Sequence, residues 1–173
     1  VLWSLYYLGE LAELTRRVMP LHADAIDRGD RYAAAGTFLG LANVAHLNAH
    51  GADATRRMIR EATESWSSDR YYLRDYYAFL AETQVDLYDG DVESAHRRVE
   101  ANWRGLSRSL LLMIPSVRIE ADHLRARVAL SCAARPGSDR GDHLSEARRH
   151  VRRLSRQGAP WARALALPLA AAV

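Results

Sequence analysis

The chain has 173 residues, 49% of them hydrophobic, with 24 basic residues against 21 acids for a formal net charge of +3; that excludes a disordered chain and is ample for a continuous core in one domain or a short repeat array. All 24 basic residues are arginine, so this segment holds no phosphate-loop lysine, no nucleotide-pairing kinase lysine and no Schiff-base lysine. Cys132 stands alone, which excludes an intrachain disulfide framework and a cysteine-based zinc site and fits a reduced, cytoplasmic setting.

Apolar residues recur at three and four positions, the helical period, with few runs of strict alternation. Nine helices are predicted, at 2–8, 10–28, 31–49, 53–66, 70–88, 92–110, 116–134, 143–157 and 160–172. Pro20 is expected to kink or split the second, whereas Pro115 and Pro160 suit first helical positions. Asp30, Asp69, Asp91 and Asp142 are placed to accept from the free N–H groups of first turns. The one long polar loop, 135–142, reads as an insertion. No run approaches the ~18–20 apolar residues of a membrane span, and no signal peptide is visible. Both ends fall inside helical pattern, so a piece of a longer protein is expected, and exposed seams at those ends would favour self-association.

The helices repeat. Asp30-Arg31-Tyr32 recurs as Asp69-Arg70-Tyr71, and each aspartate is followed 21 residues later by a glycine, Gly51 and Gly90. Apolar pairs one turn apart follow at Leu14/Val18, Ala54/Met58, Ala95/Val99 and Ala147/Val151, accompanied by the arginine pairs 16–17, 56–57, 97–98 and 148–149. A helix pair cannot cover its own apolar stripe and stacks on the next, so a period near 40 predicts an all-α solenoid running over 1–173.

Two stretches, Leu5-Tyr6-Tyr7-Leu8-Gly9-Glu10-Leu11 and Leu87-Tyr88-Asp89-Gly90-Asp91, resemble the junction between the two helices of a tetratricopeptide-like repeat. The resemblance implies antiparallel helix pairs and recognition of a peptide or protein in a concave groove. The stretches 2–31 and 103–126, with Arg28-Gly29-Asp30-Arg31-Tyr32 and Ser107-Arg108-Ser109-Leu110, look similar to the C-terminal helical region of bacterial eukaryotic-like serine/threonine kinases that carry an ATPase module. That similarity implies a regulatory arm of a signalling protein. None of the kinase motifs is in this segment, so no catalytic residue is carried over.

Two surfaces stand out as candidate sites. Tyr71, Tyr72, Tyr76, Tyr77 and Phe79 cluster on one predicted helix, with Tyr72 and Tyr76 one turn apart. The rings either pack between repeats, the usual fate of an aromatic stripe, or line a partner groove with Arg74 and Asp75 as its polar contacts. The second surface is basic. Residues 135–173 hold 8 arginines and 3 acids, whereas 1–134 hold 16 arginines and 18 acids. With Leu144, Ala147, Val151 and Leu154 as the apolar stripe, Arg148, Arg149, Arg152, Arg153 and Arg156 are left to meet an anionic partner. Specific nucleic-acid binding is disfavoured by the small overall charge and the lack of interleaved aromatics.

His46 and His50 have the one-turn spacing of metal ligands, but no glutamate lies between them and no cysteine can help. Two partly exposed histidines, and no metal, are expected. No carboxylate pair is combined with a nucleophile, so no enzymatic constellation and no cofactor is expected.

Overall fold

The computed structural model describes residues 1–64 and 70–173, and all regular structure among them is helical. The helices expected as one array fall into two compact units, 1–90 and 91–173.

Unit one holds α1 (Leu2–Tyr7), α2 (Leu11–Asp27), α3 (Arg31–Phe38), α4 (Asn43–Glu64) and α5 (Leu73–Asp89), each packed on its successor. Asp30 caps α3 as expected, accepting the Ala33 N–H at 2.9 Å. Pro20 sits inside α2, which runs through it without splitting. Leu14 and Val18 of α2 pack on Ala42 and Ala45, with Leu2 and Leu5 of α1 beside them. Small residues in this seam let the helices approach closely.

The helix expected over 31–49 is broken. Leu39 is extended, Gly40 takes a φ of 64°, and residues 40–42 form a 3-10 turn before α4. A Cβ on Gly40 would lie 3.3 Å from the Tyr77 ring in a backbone conformation that L side chains rarely adopt, so glycine is required there. The break frees carbonyls at the end of α3, which need partners when buried. The Asn43 amide donates to the Phe38 carbonyl at 3.1 Å and His46 Nε2 to the Thr37 carbonyl at 2.9 Å. A second break, at Gly51 (φ 75°, ψ 179°), divides α4 at the glycine of the repeat. Beyond it Thr55 and Ile59 are the buried pair and Ala54 and Met58 are only half-buried, so the second repeat is shifted by one position from the predicted register. Arg56 is accordingly no solvated surface group. It bridges α4 to α5, donating to Asp89 at 2.9 Å and Asp86 at 3.4 Å.

The predicted cap Asp69 and the end of the 53–66 helix lie outside the described residues. α5 starts at Leu73, and the Asp75 carboxylate takes the Tyr72 N–H at 2.7 Å.

Unit two holds α6 (Val92–Arg108), α7 (Pro115–Ala133), α8 (Arg140–Ser155) and α9 (Pro160–Ala171). Asp91 caps α6 through the Ser94 N–H at 3.0 Å, and Pro115 and Pro160 open their helices as expected. α6 ends at Arg108, where Ser109 turns extended ahead of a 3-10 turn, Leu110–Met113. α8 starts three residues earlier than predicted. Asp139, not Asp142, is its cap: the Asp139 carboxylate accepts the Asp142 N–H at 3.2 Å, so the polar loop is shorter than 135–142. α7 is the central helix. It touches α6, α8 and α9, and its buried residues occur on every face, from Val117 and Ile119 through Leu124 to Ala133. Ile119 and Ala126 meet Val151, Leu154, Ala162, Ala166 and Leu169. Cys132 is a buried free thiol within α7, and burial raises its pKa, which keeps it in the inert thiol form.

Candidate functional site

The residues of the predicted aromatic groove are divided between core and surface. Tyr76 is 0% exposed and Phe79 is buried with it; the Tyr76 ring packs tilted against Tyr77 at 5.8 Å and Phe79 at 6.4 Å. Tyr72 is half exposed at the start of α5, with the Arg74 guanidinium 6.0 Å from its ring centre. Asp75 spends its carboxylate on the Tyr72 N–H and lies 3.6 Å from Arg74 Nε. The spacing that puts Tyr72 and Tyr76 one turn apart therefore joins an exposed cap residue to a core residue. Of the four predicted groove residues, Tyr76 is unavailable to a ligand and Arg74 and Asp75 are tied to the helix start.

His46 is buried and His50 exposed, and the two rings stack at 6.2 Å. Burial lowers the His46 pKa, and the Thr37 carbonyl engages its Nε2. It is a helix-end partner, correcting the expectation of partial exposure. Among the described residues no group of three or more His, Cys, Asp or Glu side chains is arranged to hold a metal ion.

The basic surface is where it was predicted. Arg148, Arg149, Arg152, Arg153 and Arg156 are all exposed, while Ala147, His150, Val151 and Leu154 are buried. At 3.6 residues per turn the five arginines share an arc of about 140°. Within unit two, Glu146 lies 3.6 Å from Arg149, and Asp122 lies 3.7 Å from Arg153. Arg148 donates to the Val173 carbonyl at 3.4 Å.

Beneath this face lies a polar network that links α7 to α8. His150 is 0% exposed and its Nδ1–H donates to Asp122 at 2.7 Å; Asp122 is itself buried. Glu146 accepts from Arg125 at 2.6 Å, and the Arg125 guanidinium lies over the Trp103 ring at 4.1 Å. His150 first, and Arg125 with it, hold the Glu146 carboxyl at about 2, against the opposing effect of burial. On the same helix, burial and then Arg127 push His123 down to about 4.

The signs of both shifts make acid destabilising. Unfolded His123 binds its proton at 6.5, but the folded residue resists until about 4. Its contribution is present above 6.5 and is lost as pH falls through that window. The Glu146 contribution is lost between 4.5 and about 2. The urea midpoint is expected to start falling just below pH 6.5 and to fall again below 4.5. His123→Asn should shrink the first decline, leaving the part that the buried His46 contributes, and leave the second unchanged.

A cavity of about 330 Å³ opens beside the network. One part of its wall is apolar, formed by Trp103, Leu112 and Ala121. The other part is charged, with Arg118, Arg153, Arg156 and Asp122. Arg118 is held by the Leu112 carbonyl at 3.3 Å and by the Gln157 side-chain oxygen at 3.2 Å. Of these residues, sequence reading singled out Arg153 and Arg156 alone. Trp103 comes from α6, Arg118 from α7 and Gln157 from the turn after α8, with no shared spacing. Glu120 and Asp122 did carry a signal: carboxylates inside the apolar run of α7 need buried partners.

No helix among the described residues is long and apolar enough to cross a membrane. No protein-family model matches the chain, and neither a curated protein nor a solved structure matches it.

Proposed function

We propose that this chain is a non-catalytic interaction module, built of tetratricopeptide-like helix pairs, that captures an acidic segment of a protein partner on the arginine face of α8. In this reading it serves as a regulatory arm of a larger bacterial signalling protein, of the serine/threonine kinase kind that stretches 2–31 and 103–126 resemble. The observation that carries it is the set of five exposed arginines on one arc, answered within unit two by Glu146 and Asp122, both already engaged by other side chains. Guanidinium groups pair with carboxylates in a planar, two-pronged geometry, so such a face selects anionic partners. Because Tyr76 is buried, this reading uses the α8 face in place of the predicted groove.

The test is a titration with a labelled glutamate-rich peptide, followed by anisotropy. Between about 50 and about 200 mM salt the affinity should fall steeply, because charges at an exposed surface are screened over roughly a Debye length of 10 Å. Replacing Arg148, Arg149 and Arg152 together by glutamine should weaken binding about tenfold or more at low salt and flatten the salt dependence. A matched variant that loses Arg16, Arg17 and Arg97 should bind as the parent does. An affinity indifferent to salt, or equal losses in both variants, dismisses the α8 face.

A further inference from the structure

We infer that the cavity between α6, α7 and the end of α8 is a binding site for an aryl phosphate, a doubly charged phosphate monoester carried on a flat ring. The cavity shares Arg153 and Arg156 with the α8 face, but Arg148, Arg149 and Arg152 do not line it, so the two readings can be tested separately.

Charge selects the head group. Three guanidiniums and one carboxylate face this space. The carboxylate, Asp122, is already engaged by His150 at 2.7 Å, with Arg153 3.7 Å away. Neither Arg118 nor Arg156 is paired with a carboxylate among the described residues. Two positive charges are thus left without an anion at the wall of one cavity. A phosphate monoester carries about −1.5 to −2 at pH 7 and three strong acceptor oxygens, which matches that excess; a simple carboxylate neutralises only half of it.

Preorganisation favours the same ligand. Arg118 uses two of its nitrogens on Leu112 and Gln157, both as neutral acceptors. Those bonds fix the guanidinium plane without neutralising it, and its remaining N–H groups stay available for an anion. Fixed donors of this kind do not have to be ordered when the ligand arrives, which lowers the cost of binding.

The apolar wall selects the ring. Trp103 and Leu112 offer flat and branched apolar surface beside the charges. Arg125 stacks on the indole at 4.1 Å and is itself anchored by Glu146 at 2.6 Å, so the Trp103 ring is held in place from behind. The volume, about 330 Å³, lies at the small end of the ~300–1,000 Å³ range of small-ligand sites. It suits one ring and one phosphate. The bound phosphate would sit between Arg118 and Arg156, with the ring against Trp103 and Leu112.

The experiment is calorimetric titration of the whole chain with phenyl phosphate, with inorganic phosphate and phenol as separate probes. Phenyl phosphate should bind saturably, one per chain, and at least about tenfold more tightly than either probe, since each lacks one of the two recognition elements. Arg156→Gln removes an exposed side chain and should fold as the parent does; it is expected to weaken phenyl phosphate by about tenfold or more. Trp103→Leu should weaken phenyl phosphate and leave inorganic phosphate unchanged. The glutamine variant of Arg148, Arg149 and Arg152 should keep full affinity, which separates this site from the α8 face. A phosphotyrosyl tetrapeptide that binds as tightly assigns the ring to a peptide side chain; its exclusion while phenyl phosphate binds assigns a free small molecule, and both support the site. No saturation by phenyl phosphate at concentrations on the order of 10 mM, or equal affinity for inorganic phosphate, or no change in Arg156→Gln, overturns it.

Discussion

Tyr76→Ala is expected to destabilise the protein by about 3–5 kcal/mol, the cost of deleting a fully buried aromatic ring from a packed core. The ring has no solvent face, and Tyr77 and Phe79 pack around it, so its loss leaves a void that its neighbours only partly refill. Tyr72→Ala, one turn earlier, should change stability by less than about 1 kcal/mol. Its side chain is half exposed, and the contact that starts α5 uses the backbone N–H of Tyr72, which alanine keeps. Urea unfolding of the two variants measures the contrast. Equal effects would mean that the two tyrosines share an environment after all. The contrast also governs how a groove can be tested: a double alanine variant carries the core cost of Tyr76, so Tyr72→Ala alone is the informative change.

Asp122→Ala is the second large effect, about 3–5 kcal/mol, because it strips the partner from a buried polar group. The Nδ1–H of His150 would lose its acceptor, and the groups left on that side, Arg118, Arg153 and Arg156, are donors that cannot replace it. The Glu146 oxygen lies 3.6 Å from Nε2, at the other nitrogen of the ring, so it cannot accept from Nδ1–H in place of Asp122. Asp122→Asn keeps an acceptor oxygen and should cost markedly less. Asp122→Ala combined with His150→Leu should recover part of the loss, since removing both polar partners leaves no orphaned donor. The four-way comparison by urea midpoint isolates the pair. Additive single effects would show that the Asp122–His150 contact is not the source of the loss.

The local pattern named neither the neighbours of Tyr76 nor the partner of Asp122. The apolar stripe of α8 was legible because its code is local: Ala147, Val151 and Leu154 recur at three and four, and the arginines fall on the remaining arc. Asp30, Asp91, Pro115 and Pro160 were legible for the same reason, as a cap or a first-turn proline acts within three residues of itself. The helix break at Leu39 and Gly40 was not. It depends on Tyr77 from another helix taking the space a Cβ would need, and on His46 and Asn43 receiving the freed carbonyls.

The sequence by itself determined the helical class, the start of most helices, the arginine arc on α8 and the absence from this segment of any lysine for nucleotide chemistry. Tertiary structure alone decided which of two tyrosines on one face is core, that His46 is a helix-end partner, that Thr55/Ile59 replaces Ala54/Met58, and that Trp103, Arg118 and Arg156 share a cavity. Periodicity places a side chain on a face of its own helix. What that face meets is set by the packing of other helices, and buried partners and cavities exist only at those meetings.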